Sequence, residues 1–124
     1  MSRILNIGSK KYTYVAVLDE RGAGNANHSY QILDSVQDGK PQQVLGVVNF
    51  QNGPIKEAGV NGVMNEDLIA IVIDRLQGFQ EGHYKCRENA VALTKLEEAL
   101  KIIGNKGWSS KNQKIIYSLI SNNP

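Results

Sequence analysis

Gly53 to Leu100 reads GPIKEAGVNGVMNEDLIAIVIDRLQGFQEGHYKCRENAVALTKLEEAL, a Gly-punctuated loop followed by two helical stretches joined by a tight turn. Asn65 is a good N-cap, and Glu66 and Asp67 place carboxylates in the first turn, where they complement the helix dipole. Ile69, Val72, Ile73 and Leu76 then follow the i, i+3, i+4, i+7 spacing of one apolar face. Leu68 and Ile71 widen that face, so this helix is expected to meet two surfaces rather than one. A second helix is expected from near Lys85 to about Ile103, because Leu93, Leu96, Leu100 and Ile103 repeat the spacing and Gly104 stops it. Gly78 and Gly82 would bracket the turn, making the pair an antiparallel hairpin.

Upstream the character changes: eight of the twelve glycines precede Met64. Lys11 to Asp19, Ser29 to Asp34 and Gln43 to Phe50 are rich in Val, Ile, Leu and Tyr and read as strands. Turn chemistry separates them, in ERGAGNANH and in QDGKP, so an antiparallel meander is expected. Ile4 to Ile7 reads equally as a short leading strand or as an arm. The fold class is therefore α+β: an N-terminal antiparallel sheet of three to five strands, a two-helix antiparallel hairpin and a short C-terminal helix. The expected organisation is one domain over 1–124, with a β-rich part (1–63), the hairpin (64–104) and a tail (105–124). In the tail Ile115, Ile116, Leu119 and Ile120 fall on one side, which is the signal for the third helix.

Composition bounds the function. A hydrophobic fraction of 41% and a charged fraction of 21% belong to an ordinary globular chain. The lone cysteine, Cys86, excludes an internal disulfide and, with Met1-Ser2-Arg3 leading into polar sequence, points to a reducing cytoplasm. The longest uninterrupted apolar run, Leu68 to Ile73, is far short of the roughly 20 residues that span a bilayer. A net charge of +2 is too small for a general DNA or RNA binder.

Enzyme constellations are weak. His83 and Cys86 are three apart, but nucleophilic catalysis also needs an orienting group and an oxyanion site, and neither is signalled. One Cys and two His would need distant carboxylates to complete a zinc site. Gly59 to Gly62 lacks the features of a P-loop and reads first as a tight turn, then as a ligand wall. The expectation is no catalytic residue, no metal and no cofactor.

The turn between the helices gathers Phe79, Tyr84, Arg87 and Asn89: a stacking surface, a fixed cation and an amide. Phe79 either caps the apolar face or offers its ring to a base. Arg87, in the first turn of the second helix, gains nothing from the helix dipole; it either pairs with Glu88 or Glu81 or forks onto a phosphate.

The run NFQNGPIKEAGVNGVMNEDLIAIVIDRLQGFQ, followed by CRENAVALTKLEEAL, closely resembles the phage anti-Thoeris sponge proteins, and KYTYVAVLDERGAGNANHSYQILD is similar to their amino-terminal strand region. The hairpin also resembles that of a phage sponge for the cyclic oligonucleotides of CBASS defence. The resemblance implies a non-enzymatic inhibitor in the host bacterial cytoplasm, which holds a glycocyclic ADP-ribose signal made by a TIR-domain enzyme and leaves it uncleaved. It implies a homodimer with two shared pockets, and in some members a hexamer that also takes cyclic dinucleotides or trinucleotides. By the same resemblance Phe79 is the base-stacking aromatic and Asn89 the pocket asparagine. Lys106 and Ser110 fall where the family has pyrophosphate-binding arginines; Lys106 and Lys111 are the charges left to replace them, each a point ammonium rather than a fork. Two competing readings are a nucleotide hydrolase or lyase using His28 or His83, and a protein-binding module that masks a defence protein.

Overall fold

In the computed structural model the described residues are 3–8, 11–35 and 39–105. The expected C-terminal helix and Lys106, Ser110 and Lys111 lie outside them. The chain divides into two compact units at the Met64/Asn65 boundary.

The first unit is a four-stranded antiparallel meander in the order β1-β2-β3-β4, comprising β1 (Arg3–Ile4), β2 (Thr13–Val17), β3 (Ser29–Asp34) and β4 (Val44–Asn49). The leading strand is thus present but only two residues long. Register sets the faces. Val15 pairs with Ile32 and Ile32 with Gly46, while Val17 pairs with Tyr30 and Tyr30 with Val48, so these residues share one face. Tyr14, Ala16, Gln31, Leu33, Val44 and Val47 occupy the other. Val17 is fully buried, whereas Val44 and Val47 of the second face are more than half exposed. A bulge between Ile32 and Leu33 leaves Leu45 as the extra residue on β4.

The β2–β3 connection is a single 3-10 turn at Ala23–Asn25, with Gly24 and Asn25 at positive φ. Asp19 anchors it: its carboxylate accepts the N–H groups of His28 (2.9 Å) and Ser29 (3.2 Å). Desolvation pushes that carboxyl up, but the hydrogen bonds from His28, Ser29, its own backbone and Asn27 outweigh it and hold the group below the usual aspartate range.

After β4 the chain enters a stitched loop around the short helix α1 (Ile55–Ala58), a turn that the sequence did not signal. Gly59 (φ 71°) ends α1, and its N–H donates to the Ile55 carbonyl. Phe50 bridges Val63 in parallel. Gly62 is required by a close approach, because a Cβ there would fall 2.4 Å from the Phe50 carbonyl carbon. The Gly59–Gly62 turn therefore serves this backbone clamp.

The second unit is the helical hairpin of α2 (Asn65–Glu81) and α3 (Arg87–Asn105). Its seam is Ile73 and Leu100, with Ile69, Leu93 and Leu96 packed against them, as the 3.6-residue period required. Three expectations are corrected. Val72 is exposed rather than on the seam, and α2 continues through Gly78. Gly104 is a buried residue inside α3 rather than its stop. Gly78 and Gly104 lack the positive φ of a C-terminal glycine cap, and glycine inside a helix costs only about 1 kcal/mol against alanine. Among the described residues no helix is long and apolar enough to cross a membrane.

Candidate functional site

The α2–α3 turn is built from the ends of both helices. The last turn of α2 carries Phe79, whose N-terminally tilted side chain lies beside the residue one turn back, Arg75. The Arg75 guanidinium carbon sits 4.9 Å from the Phe79 ring centroid, a cation–π contact worth about 0.5–1 kcal/mol at an exposed site. Tyr84, reached after Gly82 and His83, meets Phe79 edge-on, with centroids 5.5 Å apart and planes at 85°. Phe79 is half-buried and Tyr84 is 71% exposed.

The start of α3 closes the turn. Cys86 occupies the N-cap position, and its Sγ accepts the Asn89 N–H at 3.4 Å, with the thiol in the place a serine hydroxyl usually takes. The Gln80 side-chain carbonyl accepts the Cys86 N–H at 3.1 Å. Asn89 donates from Nδ2 to the Tyr84 carbonyl at 3.1 Å, so this half-buried amide braces the segment that presents the tyrosine ring. Phe79 and Asn89 are therefore joined through Tyr84 in one cluster. Arg87 stands at its edge, 83% exposed, with its guanidinium 3.9 Å from the Glu88 carboxylate. An exposed pair at that distance contributes about 0–1 kcal/mol.

Arg75 is the member that reading the sequence missed. Its signal was available, since positions 75 and 79 are an i, i+4 pair and such pairs face each other on a helix. Among the described residues it forms no ion pair with a carboxylate. Gln77 lies between the two in sequence but on a different side of α2; it is buried, and its Oε1 has no hydrogen-bond partner among the described residues.

His28 braces the β2–β3 connection, with its Nε2 at 3.0 Å from the Ala23 carbonyl, which calls for the Nε2–H tautomer. His83 is exposed in the turn, and no hydrogen bond joins it to Cys86. Among the described residues no three His, Cys, Asp or Glu side chains gather to hold a metal ion. In the sheet unit a recess of about 330 Å³ is lined by Tyr12, Asp34, Ser35, Lys40, Pro41 and Gln43. Its carboxylate is already engaged, Asp34 Oδ1 accepting the Gln43 N–H at 2.7 Å.

A ring with a cation beside it, a second aromatic perpendicular to it and a braced amide make a surface that can stack a planar base and meet polar oxygens beside it. Residues 43–103, from the residue before β4 to near the end of α3, match the family model described as Acb2/Tad1, hairpin domain. The chain is also 60% identical over 70 residues to Thoeris anti-defense 1 of Bacillus phage SBSphiJ7. That match covers 56% of this chain and 49% of the relative, so the chain spans about half the length of the relative it matches.

Proposed function

We propose, from the premise that this chain belongs to the Acb2/Tad1 hairpin family through its residues 43–103, that it is a phage anti-defence protein acting against Thoeris. It does so by binding and sequestering a glycocyclic ADP-ribose signal, the 1''-2' or the 1''-3' isomer, without cleaving it. The observation that carries this reading is the aromatic, cationic and amide cluster at the α2–α3 turn, inside the segment that defines the family. Phe79 takes the adenine, and Asn89 contacts the ribose-phosphate portion. Arg87 adds positive field at the rim, and Lys106 and Lys111 are the tail's contribution. The protein works in the host bacterial cytoplasm, where the signal is made.

A sponge inhibits stoichiometrically, so its dissociation constant must lie below the concentration at which the effector responds. A pocket shared by two copies suits that demand. Exposed Ile71, Val72 and Ile102 on the hairpin, with Val44 and Val47 on the sheet, are the kind of apolar surface that a second copy covers, which supports a homodimer and leaves room for a hexamer.

The test is a titration of effector activation. With a fixed amount of TIR-enzyme product, a sponge silences the effector only once its sites match the nucleotide, and added nucleotide restores activity. Silencing at far lower protein would indicate a hydrolase. Silencing that no excess of nucleotide reverses would indicate a protein that masks the effector. If the nucleotide is not bound at all, cyclic dinucleotides and trinucleotides are the next ligands to titrate, because the family model also covers the Acb2 hairpin.

A further inference from the structure

A nucleotide with bridging phosphates needs a cation near the ring that stacks its base, and the sequence offered Arg87, Lys106 and Lys111 for that role. Arg87 points its charge toward Glu88 at the exposed rim. Arg75 stands elsewhere. Its guanidinium lies 4.9 Å from the Phe79 centroid, held one helical turn before the ring by the same α2 backbone. The contact with the ring uses the guanidinium's charge and leaves its N–H donors uncommitted, since none meets a carboxylate among the described residues. A planar fork already positioned beside an aromatic surface loses less freedom on binding an oxyanion than a solvated lysine does.

We propose that Arg75 is the phosphate-binding arginine of this site, taking phosphate oxygens of the nucleotide whose base meets Phe79. The assignment rests on the reading that the hairpin turn binds such a nucleotide, and it adds a residue that neither the spacing nor the resemblance selected. Arg75 offers what the family's tail arginines offer elsewhere, a bidentate donor, from a rigid helix. Its ring contact keeps the free fork in place before the ligand arrives.

The test is calorimetric titration of the full-length protein with glycocyclic ADP-ribose at low and high salt, on wild type, Arg75→Ala, Arg75→Lys and Arg87→Ala. Arg75→Ala is expected to weaken binding about 10- to 100-fold, as loss of charge-assisted hydrogen bonds does, and to flatten its salt dependence. Arg75→Lys should recover the salt dependence and part of the affinity. Arg87→Ala should cost about threefold or less, as expected for an exposed rim charge. Arg75→Gln, which keeps the length of the stem, replaces the alanine variant if that one fails to fold. Wild-type binding with unchanged affinity in Arg75→Ala or Arg75→Gln overturns the assignment and leaves the sponge reading intact. Equal loss in the alanine and lysine variants with unchanged salt dependence also overturns it, because that pattern belongs to a residue that only supports the ring. Absence of nucleotide binding by the wild type overturns the sponge reading, and this assignment with it.

Discussion

Two polar segments of this chain handle their hydrogen-bonding groups in opposite ways. Between Asn49 and Val63 the side chains turn inward on their own loop. Gln51 donates to the carbonyls of Gly53 (3.1 Å) and Gly59 (2.7 Å), and its Oε1 accepts the Asn61 N–H (2.9 Å). Asn61 in turn exchanges two bonds of 2.8 Å with the backbone of Asn52. Between Arg75 and Asn89 a few bonds hold the backbone, while the Phe79 ring stays half-exposed and the Tyr84 ring and the Arg75 and Arg87 guanidinium groups stay exposed. The first segment satisfies itself and so is a structural clamp. The second keeps donors and ring surface available, which is what a binding site requires.

Substitutions can break or sharpen that contrast. The largest effect is expected in the clamp: Gly62→Ala pushes a Cβ into the Phe50 backbone, which cannot rotate away, and should destabilise the protein by about 3 kcal/mol in denaturant melts. Nucleotide affinity measured on whatever fraction remains folded should be little changed. At the turn the order reverses. Phe79→Ala should weaken nucleotide binding by about 2 kcal/mol, the loss of one base-stacking platform, with a smaller change in stability. Asn89→Ala should cost about 1 kcal/mol in both binding and stability, because the amide it removes also braces the Tyr84 carbonyl.

The smallest effect is expected at Asp19, far along the chain from either segment. Its carboxyl is held below the usual range in the folded state, so the stability it contributes is present above the unfolded value and is lost as pH falls through the folded one. The melting temperature of wild type should exceed that of Asp19→Asn at neutral pH. The difference should shrink once the pH drops below about 4, the ordinary aspartate value. A gap that stays constant into acid would mean that the carboxylate charge is irrelevant to the loop.

Local signals carried most of the architecture. The β-branched and aromatic residues of Thr13–Val17 and Ser29–Asp34 and the Ile69, Ile73, Leu93, Leu96 and Leu100 spacing were readable, because each depends on residues within one element. What stayed hidden depends on contacts remote in sequence or too short to repeat. The four residues of α1 show no period, and the need for glycine at position 62 exists only because Val63 bridges Phe50. Gly78 and Gly104 were read as punctuation, but glycine permits a break without compelling one. In the candidate site, Phe79 and Asn89 were visible from the turn and the resemblance. Arg75 was hidden inside a helix read for its apolar face, although its partner lay four residues on.

The most direct measurement is to incubate the purified protein with the product of an active Thoeris TIR enzyme, remove unbound nucleotide, heat-denature the complex and identify what is released by mass spectrometry. An intact cyclic ADP-ribose isomer, recovered in proportion to the protein, is the predicted result. Release of a linear product, or of no nucleotide, would contradict sequestration without cleavage.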